Sequence, residues 1–422
     1  MADNASVTAQ GAILVGVAKS TDGVAECEKS LDELARLLDT AGGFCYARLI
    51  QVKDKPDVRT YIGSGKVAEL AELAEAGDIG LIVFDTELSP SQIQNLEEDI
   101  GDVSVIDRSM LILDIFALHA QSNEGKIQVE LAQLKYTAPR LMGKGSMLSR
   151  LGGGIGTRGP GESQLERDRR HMRRRIHALE SEIEEMAKNR SVMRAARDRS
   201  GLPLVAIVGY TNAGKSTLLN RLTDAGVLSE DKLFATLDPT TRRLSLPEGE
   251  SLLLTDTVGL IRHLPHHLIE AFRSTLDEAA EADVLLIVAD ATDDECDEQL
   301  AVTIDLLNDL GASGKPTVLA YNKCDRENAH PRPAYVGMDE VVAISAATGE
   351  GVDTLLAALL RIVRNGKKTV TLVFPYAESA TATSLYRYAT VLSTEYGDEG
   401  ITVRAVMDAR ALGMYKSYVR EE

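Results

Sequence analysis

Two parts of the chain alternate short apolar runs with amphipathic segments. Between residues 12 and 108 the apolar runs AILVGVA, FCYARLIQV, GLIVFD and VSVIDR have the length of buried strands. The segments between them, SLDELARLLDTAG, KVAELAELAEAG and SPSQIQNLEED, have helical spacing. Residues 202–365 repeat this alternation with LVAIVG, SLLLTDTVG, DVLLIVAD, TVLAYNKCD and VVAISA. Strands that alternate with helices predict parallel sheets covered by helices.

The region between these two parts is predicted to form two long helices. Residues 109–140 are helical apart from the polar QSNEGK, and a second helix covers about 163–199. The second helix carries a coiled-coil seam, because its apolar positions are 4, 3, 4 and 3 residues apart. These positions are Met172, Ile176, Leu179, Ile183 and Met186. The connector favours an antiparallel pair with the Gly-rich stretch GGGIGTRGPGE, Gly152–Glu162, at its tip.

Composition and charge narrow the class of protein. The four cysteines are far apart, which argues against a disulfide framework or a zinc site. Apolar runs stay strand-sized and the N-terminus lacks a basic leader, so we predict a cytoplasmic protein without a transmembrane segment. The net charge of −18 is uneven, because residues 140–199 hold 15 Lys and Arg against 8 Asp and Glu. An acidic protein with one basic stretch can still bind a polyanion there.

The segment GYTNAGKS fits the phosphate-loop pattern G-x-x-x-x-G-K-[ST] and lies between a predicted strand and a predicted helix. Gly209 and Gly214 let backbone N–H groups face the phosphates. Lys215 supplies charge to the β- and γ-phosphates, and the Ser216 hydroxyl can ligate Mg²⁺. The predicted nucleotide contacts here are Gly209, Tyr210, Thr211, Asn212, Ala213, Gly214, Lys215, Ser216 and Thr217.

The tetrapeptide NKCD at the end of a later strand indicates guanine as the base. The Asp325 carboxylate can accept from guanine N1–H and N2–H₂ together, and adenine has no such donor pair. Asn322 and Lys323, followed by Cys324, would brace the phosphate loop and the base plane. After the next strand, the segment SAA would bring a backbone N–H to guanine O6. It comprises Ser345, Ala346 and Ala347.

Two segments between these motifs are predicted to respond to the γ-phosphate. In DTVG, Asp256 would hold the Mg²⁺ shell through water, and the Gly259 N–H would bond to the γ-phosphate. FATLDPTTR supplies the threonine that closes over Mg²⁺; we predict Thr236, with Thr240 as the alternative. The predicted metal ligands are therefore Ser216, Thr236 and Asp256. The nucleotide contacts of the two segments are Phe234, Ala235, Thr236, Leu237, Asp238, Asp256, Thr257, Val258 and Gly259.

These motifs, with GGGIGTRGPGESQLERDRR before them, resemble the HflX family of ribosome-associated GTPases over nearly the whole chain. The family belongs to the Obg-HflX superfamily in the translation-factor class. The resemblance implies an α/β fold: an N-terminal parallel α/β domain with a long antiparallel helical hairpin, a P-loop GTPase domain and a small α+β C-terminal domain. It also implies GTP or GDP with Mg²⁺ as ligands, binding to the large ribosomal subunit, and separation of stalled or idle ribosomes into subunits.

We predict four domains from this pattern. An N-terminal α/β subdomain covers residues 1–108, and the long helical pair with its Gly-rich loop covers 109–200. The P-loop GTPase domain covers 201–366, and the small C-terminal α+β domain covers 367–422. We expect the chain to act as a monomer.

Leu260 directly follows DTVG, where many GTPases carry a glutamine that orients the attacking water. A leucine can neither donate nor accept a hydrogen bond. We therefore predict intrinsic hydrolysis about 10²–10⁵-fold slower than in an assisted state, with help from the ribosome. The predicted catalytic positions are Leu260, Gly259 and Thr236. Alternatively, Leu260 is a core residue and another side chain holds the water.

The Gly-rich stretch Gly152–Glu162 lacks the G-K-[ST] ending and has no strand before it, which argues against a nucleotide site. Its glycines would let it enter a narrow space, and the basic run Arg167–Arg175 can meet RNA phosphates. The resemblance to the HflX family implies that the partner of this region is ribosomal RNA of the large subunit. A solvated helix face is the other interpretation of the basic run.

Two other functions stay open. The chain could be an RNA-remodelling ATPase or GTPase whose N-terminal half is active, or a signalling GTPase with a protein partner and no RNA. A second glycine-lysine segment, GSGK at residues 63–66, has Val67 where a phosphate loop needs Ser or Thr. It favours a plain strand-to-helix turn.

Overall fold

The computed structural model describes residues 11–138, 160–198, 202–223, 233–234, 240–246, 250–262, 278–365, 368–397, 400–407 and 409–420. The described residues form two units. The first holds those up to Met186 together with Leu233 and Phe234, and the second holds the rest. The predicted α/β fold class is confirmed, whereas the four predicted domain bounds stay predictions.

The first unit contains a parallel four-stranded sheet in the order β2-β1-β3-β4. The strands are β1 (Gly11–Ala18), β2 (Phe44–Val52), β3 (Leu81–Phe84) and β4 (Ser104–Asp107). The helices are α1 (Val24–Thr40), α2 (Ser64–Gly77), α3 (Pro90–Ile100) and α4 (Arg108–His119). Ile13, Val15, Ile82 and Phe84 are buried in the core between sheet and helices, as apolar runs in a parallel sheet require. Helix α1 begins six residues before the predicted apolar pattern, which started at Ser30.

Side-chain caps determine where the following helices begin. Ser89 and Gln92 form a capping box at α3, with the Ser89 N–H donating to Gln92 Oε1 at 2.9 Å. Asp107 caps α4 by accepting the Met110 N–H at 3.0 Å. The buried Asp107 carboxylate also accepts from the Tyr136 hydroxyl, so it joins the end of the sheet to the next helix.

The predicted helical pair is formed by α5 (Asn123–Thr137) and α6 (Pro160–Asp198). Leu179 of α6 is buried with Ile127 and Leu131 of α5, and the other seam positions that pack there are Ile176, Ile183 and Met186. Two ion pairs flank the seam: Arg175 Nε to Glu130 Oε1 at 2.7 Å, and Lys135 Nζ to Glu180 Oε1 at 2.8 Å.

The second unit contains a six-stranded sheet in the order β10-β9-β8-β5-β7-β6. Its strands are β5 (Leu204–Gly209), β6 (Thr240–Ser245), β7 (Ser251–Asp256), β8 (Val284–Asp290), β9 (Thr317–Asn322) and β10 (Glu340–Ala343). The helices include α7 (Lys215–Thr223), α8 (Cys296–Asp309) and α9 (Val352–Arg364). All neighbouring strands are parallel except β6, which runs antiparallel to β7. The apolar pattern did not predict β6, because its sequence TTRRLS buries only Leu244.

The C-terminal α+β part has an antiparallel sheet in the order β11-β13-β12. Its strands are β11 (Lys368–Phe374), β12 (Thr390–Gly397) and β13 (Gly400–Met407), and its helices are α10 (Ser379–Ser384) and α11 (Ala409–Met414). Leu372, Phe374 and Val403 are buried with Leu385, which covers one face of the sheet. No helix within the described ranges combines the length and apolar character that crossing a bilayer requires.

Candidate functional site

The phosphate-loop sequence folds as a tight turn between β5 and α7. Gly209 and Gly214 have φ angles of 151° and 94°, which disfavour any side chain. A Cβ on Gly209 would lie 2.2 Å from the Val288 carbonyl oxygen. A Cβ on Gly214 would lie 2.2 Å from Asn322 Nδ2. The two glycines therefore allow the loop to approach β8 and β9 closely.

Lys215 is folded back on this loop. Its side chain is 6% exposed, and Nζ donates to the carbonyl oxygens of Gly209 at 3.1 Å and Tyr210 at 2.8 Å. Burial lowers the pKa of Lys215 to about 8, against the opposing effect of the Asp256 carboxylate. A buried ammonium held mainly by neutral carbonyls is stabilised by an added anion. This corner is therefore electrostatically suited to phosphate.

A hydroxyl and a carboxylate meet beside the lysine, at the ends of α7 and β7. The Ser216 hydroxyl donates to Asp256 Oδ2 at 2.7 Å, and Asp256 is fully buried. Thr240, the alternative switch threonine, pairs with Asp256 in the β6–β7 register. Oxygen ligands of this kind suit Mg²⁺. The third predicted ligand, Thr236, lies outside the described residues, together with Ala235, Leu237 and Asp238.

The segment after DTVG is joined to the phosphate loop. Leu260 is 3% exposed, its N–H donates to the Gly209 carbonyl at 3.1 Å, and its carbonyl accepts the Thr211 N–H at 2.8 Å. A Cβ on Gly259 would lie 2.6 Å from Thr211 Cγ2, so this approach also requires glycine. The Thr257 hydroxyl donates to the Ile207 carbonyl at 2.7 Å. Leu260 therefore packs as a core residue in this structure.

A tyrosine of the phosphate loop strengthens this connection and was not predicted to do so. The Tyr210 hydroxyl accepts the Arg262 N–H at 2.6 Å, and the Arg262 guanidinium lies 3.0 Å from Glu295 Oε2. No local motif signals this contact, since the two residues are 52 positions apart.

The predicted base-reading residues lie where β9 ends. Asn322 is buried; its Nδ2 donates to the Ala213 carbonyl at 2.8 Å, and its Oδ1 accepts the Ala346 N–H at 2.9 Å. One amide thus joins the phosphate loop to the SAA segment. Lys323 Nζ lies 2.6 Å from Asp290 Oδ2. Arg221 of α7, which was not predicted, donates to the Ala346 carbonyl at 3.1 Å and also contacts the Ala347 carbonyl.

Asp325 is exposed at the mouth of this corner. A hydrogen bond from the buried Ser345 side chain holds the pKa of Asp325 below its usual value, with a smaller contribution from a backbone N–H. The carboxylate is therefore ionised at neutral pH and can accept two hydrogen bonds. The Cys324 N–H, in turn, donates to the Ile344 carbonyl at 3.1 Å and fixes this turn beside β10.

Other predicted contacts lie elsewhere or have structural partners. Phe234 is buried in the first unit, edge-on to Phe116 at 4.7 Å between ring centroids. In the basic run, Arg170, Arg173, Arg174 and Arg175 are all exposed, and Arg175 is also paired with Glu130. Residues 152–159 of the Gly-rich stretch are outside the described ranges, and the last three residues of that stretch begin α6.

Comparison with known proteins gives three consecutive family matches. Residues 28–117 match the GTP-binding GTPase N-terminal family, and residues 119–197 match the GTP-binding GTPase Middle Region. Residues 204–323 match a family described as 50S ribosome-binding GTPase.

Curated relatives are similar over most of the chain. GTPase HflX of Lacrimispora saccharolytica is 51% identical over 389 residues, 92% of each chain. GTPase HflX of Escherichia coli is 42% identical over 365 residues, 85% of each chain. The solved structure of a GTP-binding protein from Sulfolobus solfataricus in complex with GDP is 26% identical, covers 84% of this chain and 99% of its own, and has a TM-score of 0.45. The family assignment rests on the curated relatives.

Proposed function

Because this chain belongs to the HflX family of GTPases and hydrolyses GTP, we propose that it uses GTP as a switch on the large ribosomal subunit. In the GTP form it docks in the cytoplasm on stalled or idle ribosomes and separates their subunits, and hydrolysis releases it. The observation that supports the switch most directly is the meeting of Lys215, Asp256 and Asn322 at one edge of the sheet.

The phosphate corner has the chemistry for GTP with magnesium. Ser216 and Asp256 offer a hydroxyl and a carboxylate oxygen, the ligands that Mg²⁺ prefers, and Thr236 is the proposed third ligand. The ion would neutralise charge on the β- and γ-phosphates. Lys215 would contact the same phosphates, and the Gly259 N–H would bond to the γ-phosphate.

Slow intrinsic hydrolysis follows from the position of Leu260. The side chain is buried and the backbone is hydrogen-bonded to the phosphate loop, so this position offers no polar group to orient water. Turnover is therefore expected to rise on the ribosome. GTP turnover measured with and without purified large subunits tests this, and equal rates would contradict it.

Base selection is assigned to Asp325. Replacing it with asparagine presents an amide in place of the carboxylate, which suits xanthine better than guanine. Asp325→Asn should bind xanthosine triphosphate in preference to GTP, whereas the neighbouring Arg326→Gln should keep the guanine preference. Competition between the two nucleotides measures this. A variant that still prefers GTP would show that Asp325 does not read the base.

RNA contact is assigned to the Gly-rich stretch Gly152–Glu162 and the run Arg167–Arg175. Arg170, Arg173 and Arg174 are exposed on α6 and available for phosphates, whereas Arg175 holds α5 through Glu130. We therefore assign the backbone contacts to the exposed arginines of the run and a structural role to Arg175.

Sedimentation with large subunits, in the presence of a non-hydrolysable GTP analogue, tests the docking. Arg170→Glu with Arg173→Glu should weaken binding and flatten its dependence on salt, because fewer counterions are released. The control is Arg36→Glu, which reverses an exposed arginine of α1. A chain that stays in the supernatant would instead favour a signalling GTPase with a protein partner.

A further inference from the structure

Exposed tyrosines gather at the edge of the C-terminal sheet. Tyr376, Tyr386 and Tyr396 are 53%, 61% and 75% exposed. Scattered surface aromatics are ordinary, but a group of large rings at one place marks an interaction site. None of the three lies in the nucleotide corner or in the basic run of α6.

Hydrogen bonds show that the three rings surround one short stretch of β12. The Tyr386 hydroxyl lies 3.1 Å from Thr394 Oγ1, and the Tyr376 hydroxyl donates to the Gly397 carbonyl at 2.9 Å. Tyr396 is two residues after Thr394, so both side chains point to the same side of the strand. Because Tyr376 and Tyr386 are already held at their hydroxyls, a partner would lose little side-chain entropy in binding them.

Strand β12 also has an edge. It pairs with β13 on one side, and in the described sheet no strand pairs with its other side. An edge strand presents backbone N–H and C=O groups that can pair with another extended chain. The tyrosines therefore border a backbone surface that can accept a further strand.

The charge of this edge selects the kind of partner. Between residues 376 and 397 the sequence has two acidic residues, both exposed, and one arginine. Glu395, between Thr394 and Tyr396, is exposed on β12 itself. Acidic groups repel the phosphates of RNA, whereas tyrosine faces and carboxylates both attract Lys and Arg side chains.

We propose that β12, Tyr376, Tyr386 and Tyr396 form a docking edge for an extended, Lys- and Arg-rich segment of a protein of the large ribosomal subunit. The segment would pair with the free side of β12 as an added strand, with its basic side chains against the tyrosines and Glu395. The identity of the particle rests on the proposed function. This docking edge is distinct from the RNA contact assigned to α6. The chain would therefore contact the subunit through two of its own surfaces, one basic and one acidic.

Site-specific photocrosslinking tests the partner class. A photoreactive phenylalanine analogue at position 396 of the full chain, bound to large subunits with a non-hydrolysable GTP analogue, should crosslink to protein. The control carries the same analogue at exposed position 404 of β13, whose neighbours Val403 and Ala405 face the core. Crosslinks from position 396 to RNA, or crosslinks equal to the control, would overturn the proposal.

Measurements of affinity for the large subunit are a second test of the docking edge. Tyr396→Ser and Glu395→Lys should each weaken subunit binding by roughly tenfold, as expected when a central interface residue is lost. Tyr388→Ser is the matched control, since Tyr388 is 52% exposed and its ring centroid lies 6.4 Å from that of Tyr415. The melting temperature should stay unchanged in all three. Unchanged affinity of both edge variants would contradict the docking edge.

A binding assay without ribosomes distinguishes a failure of the docking edge from a failure of the proposed function. A labelled peptide of alternating lysine and valine should bind the full chain and lose affinity in Tyr396→Ser. Its glutamate-valine counterpart should not bind at this edge, and any binding of oligouridine should be the same in wild type and in Tyr396→Ser. If the chain fails to sediment with subunits but still binds the basic peptide at this edge, the ribosomal function fails and the edge stands. If the chain sediments with subunits but does not bind the peptide and gives no protein crosslink, the docking edge is wrong and the proposed function stands.

Discussion

Two buried cations at the carboxyl ends of parallel strands differ in the groups that stabilise their charge. Arg108 follows β4 in the first unit and forms ion pairs with Glu33 and with Asp85, the latter at 2.7 Å. Lys215 follows β5 in the second unit and donates to two carbonyl oxygens. The first site is balanced by the protein's own carboxylates. The second gains most from an outside anion, so of these two positions we expect the phosphate ligand at Lys215.

The largest expected effect on stability is at Arg108. Arg108→Met removes the cation and leaves Glu33 and Asp85 as poorly compensated carboxylates in a buried place. We expect a loss of about 3–5 kcal/mol in the free energy of unfolding, measured by urea denaturation. Arg36→Met, at an exposed site of α1, should change it by less than about 0.5 kcal/mol. If the two variants have the same free energy of unfolding, the ion pairs of Arg108 do not stabilise the first unit.

At Lys215 the same kind of change should weaken nucleotide binding without destabilising the fold. Lys215→Met removes the charge that faces the phosphates, so GTP affinity should fall by about 10²–10³-fold. Lys66→Met is the control, because Lys66 of the second glycine-lysine segment pairs with Glu69 at 2.7 Å on the surface. Nucleotide titration followed by fluorescence measures both. Nearly equal affinities of wild type and Lys215→Met would remove the contrast between the two cations.

The next effect is a pH dependence. The pKa of Lys215 is lowered from 10.5 to about 8 by burial, so the buried charge costs stability at and below pH 8. That cost disappears as pH rises from 8 to 10.5, and the nucleotide-free chain should become relatively more stable through this window. Bound phosphate would raise the pKa again, so GTP affinity should fall above about pH 8, by up to about tenfold per pH unit.

Titrations with GTP between pH 7 and 9.5 check this expectation. The control is Lys215→Arg, whose side chain stays charged over the whole range and should show a flat profile. A falling affinity in both proteins would assign the pH dependence to another group.

The smallest effect concerns a partly buried carboxyl group, Asp114 on α4. Burial raises the pKa of Asp114 from 3.8 to about 6, although a hydrogen bond from Gln133 at 3.4 Å opposes the shift. Stability is therefore lost as pH rises from about 4 to 6, because the ionised form is disfavoured in the fold. Asp114→Asn keeps an acceptor for Gln133 and should stabilise the chain by roughly 1–2 kcal/mol at pH 7. The gain should vanish near pH 4, and a gain that is the same at both pH values would contradict this origin.

Local patterns predicted the parts of the structure that local physics determines. Between its two aspartates the run DVLLIVAD is entirely apolar, which is typical of a buried strand, and Val284–Asp290 forms β8. The phosphate-loop glycines were predictable because the few residues of the motif GYTNAGKS determine the turn in which Gly214 has a positive φ. Strand β6 was not predictable, since its polar residues pair with β7 through the backbone.

Contacts between distant positions lie beyond such patterns. Arg108 and Glu33 are 75 residues apart, and Arg221 reaches a carbonyl 125 residues away. A basic side chain gives no sign in the sequence of whether it will meet an internal carboxylate, a backbone carbonyl or solvent.

The single amide of Asn322 has a consequence for how nucleotide leaves. Its two hydrogen bonds, to the Ala213 carbonyl and from the Ala346 N–H, tie the two halves of the pocket to one rigid strand end. We therefore expect that loosening the phosphate loop also disturbs the SAA segment, so that nucleotide leaves in one concerted opening. The residence time of the nucleotide is then expected to depend on the Asn322 side chain.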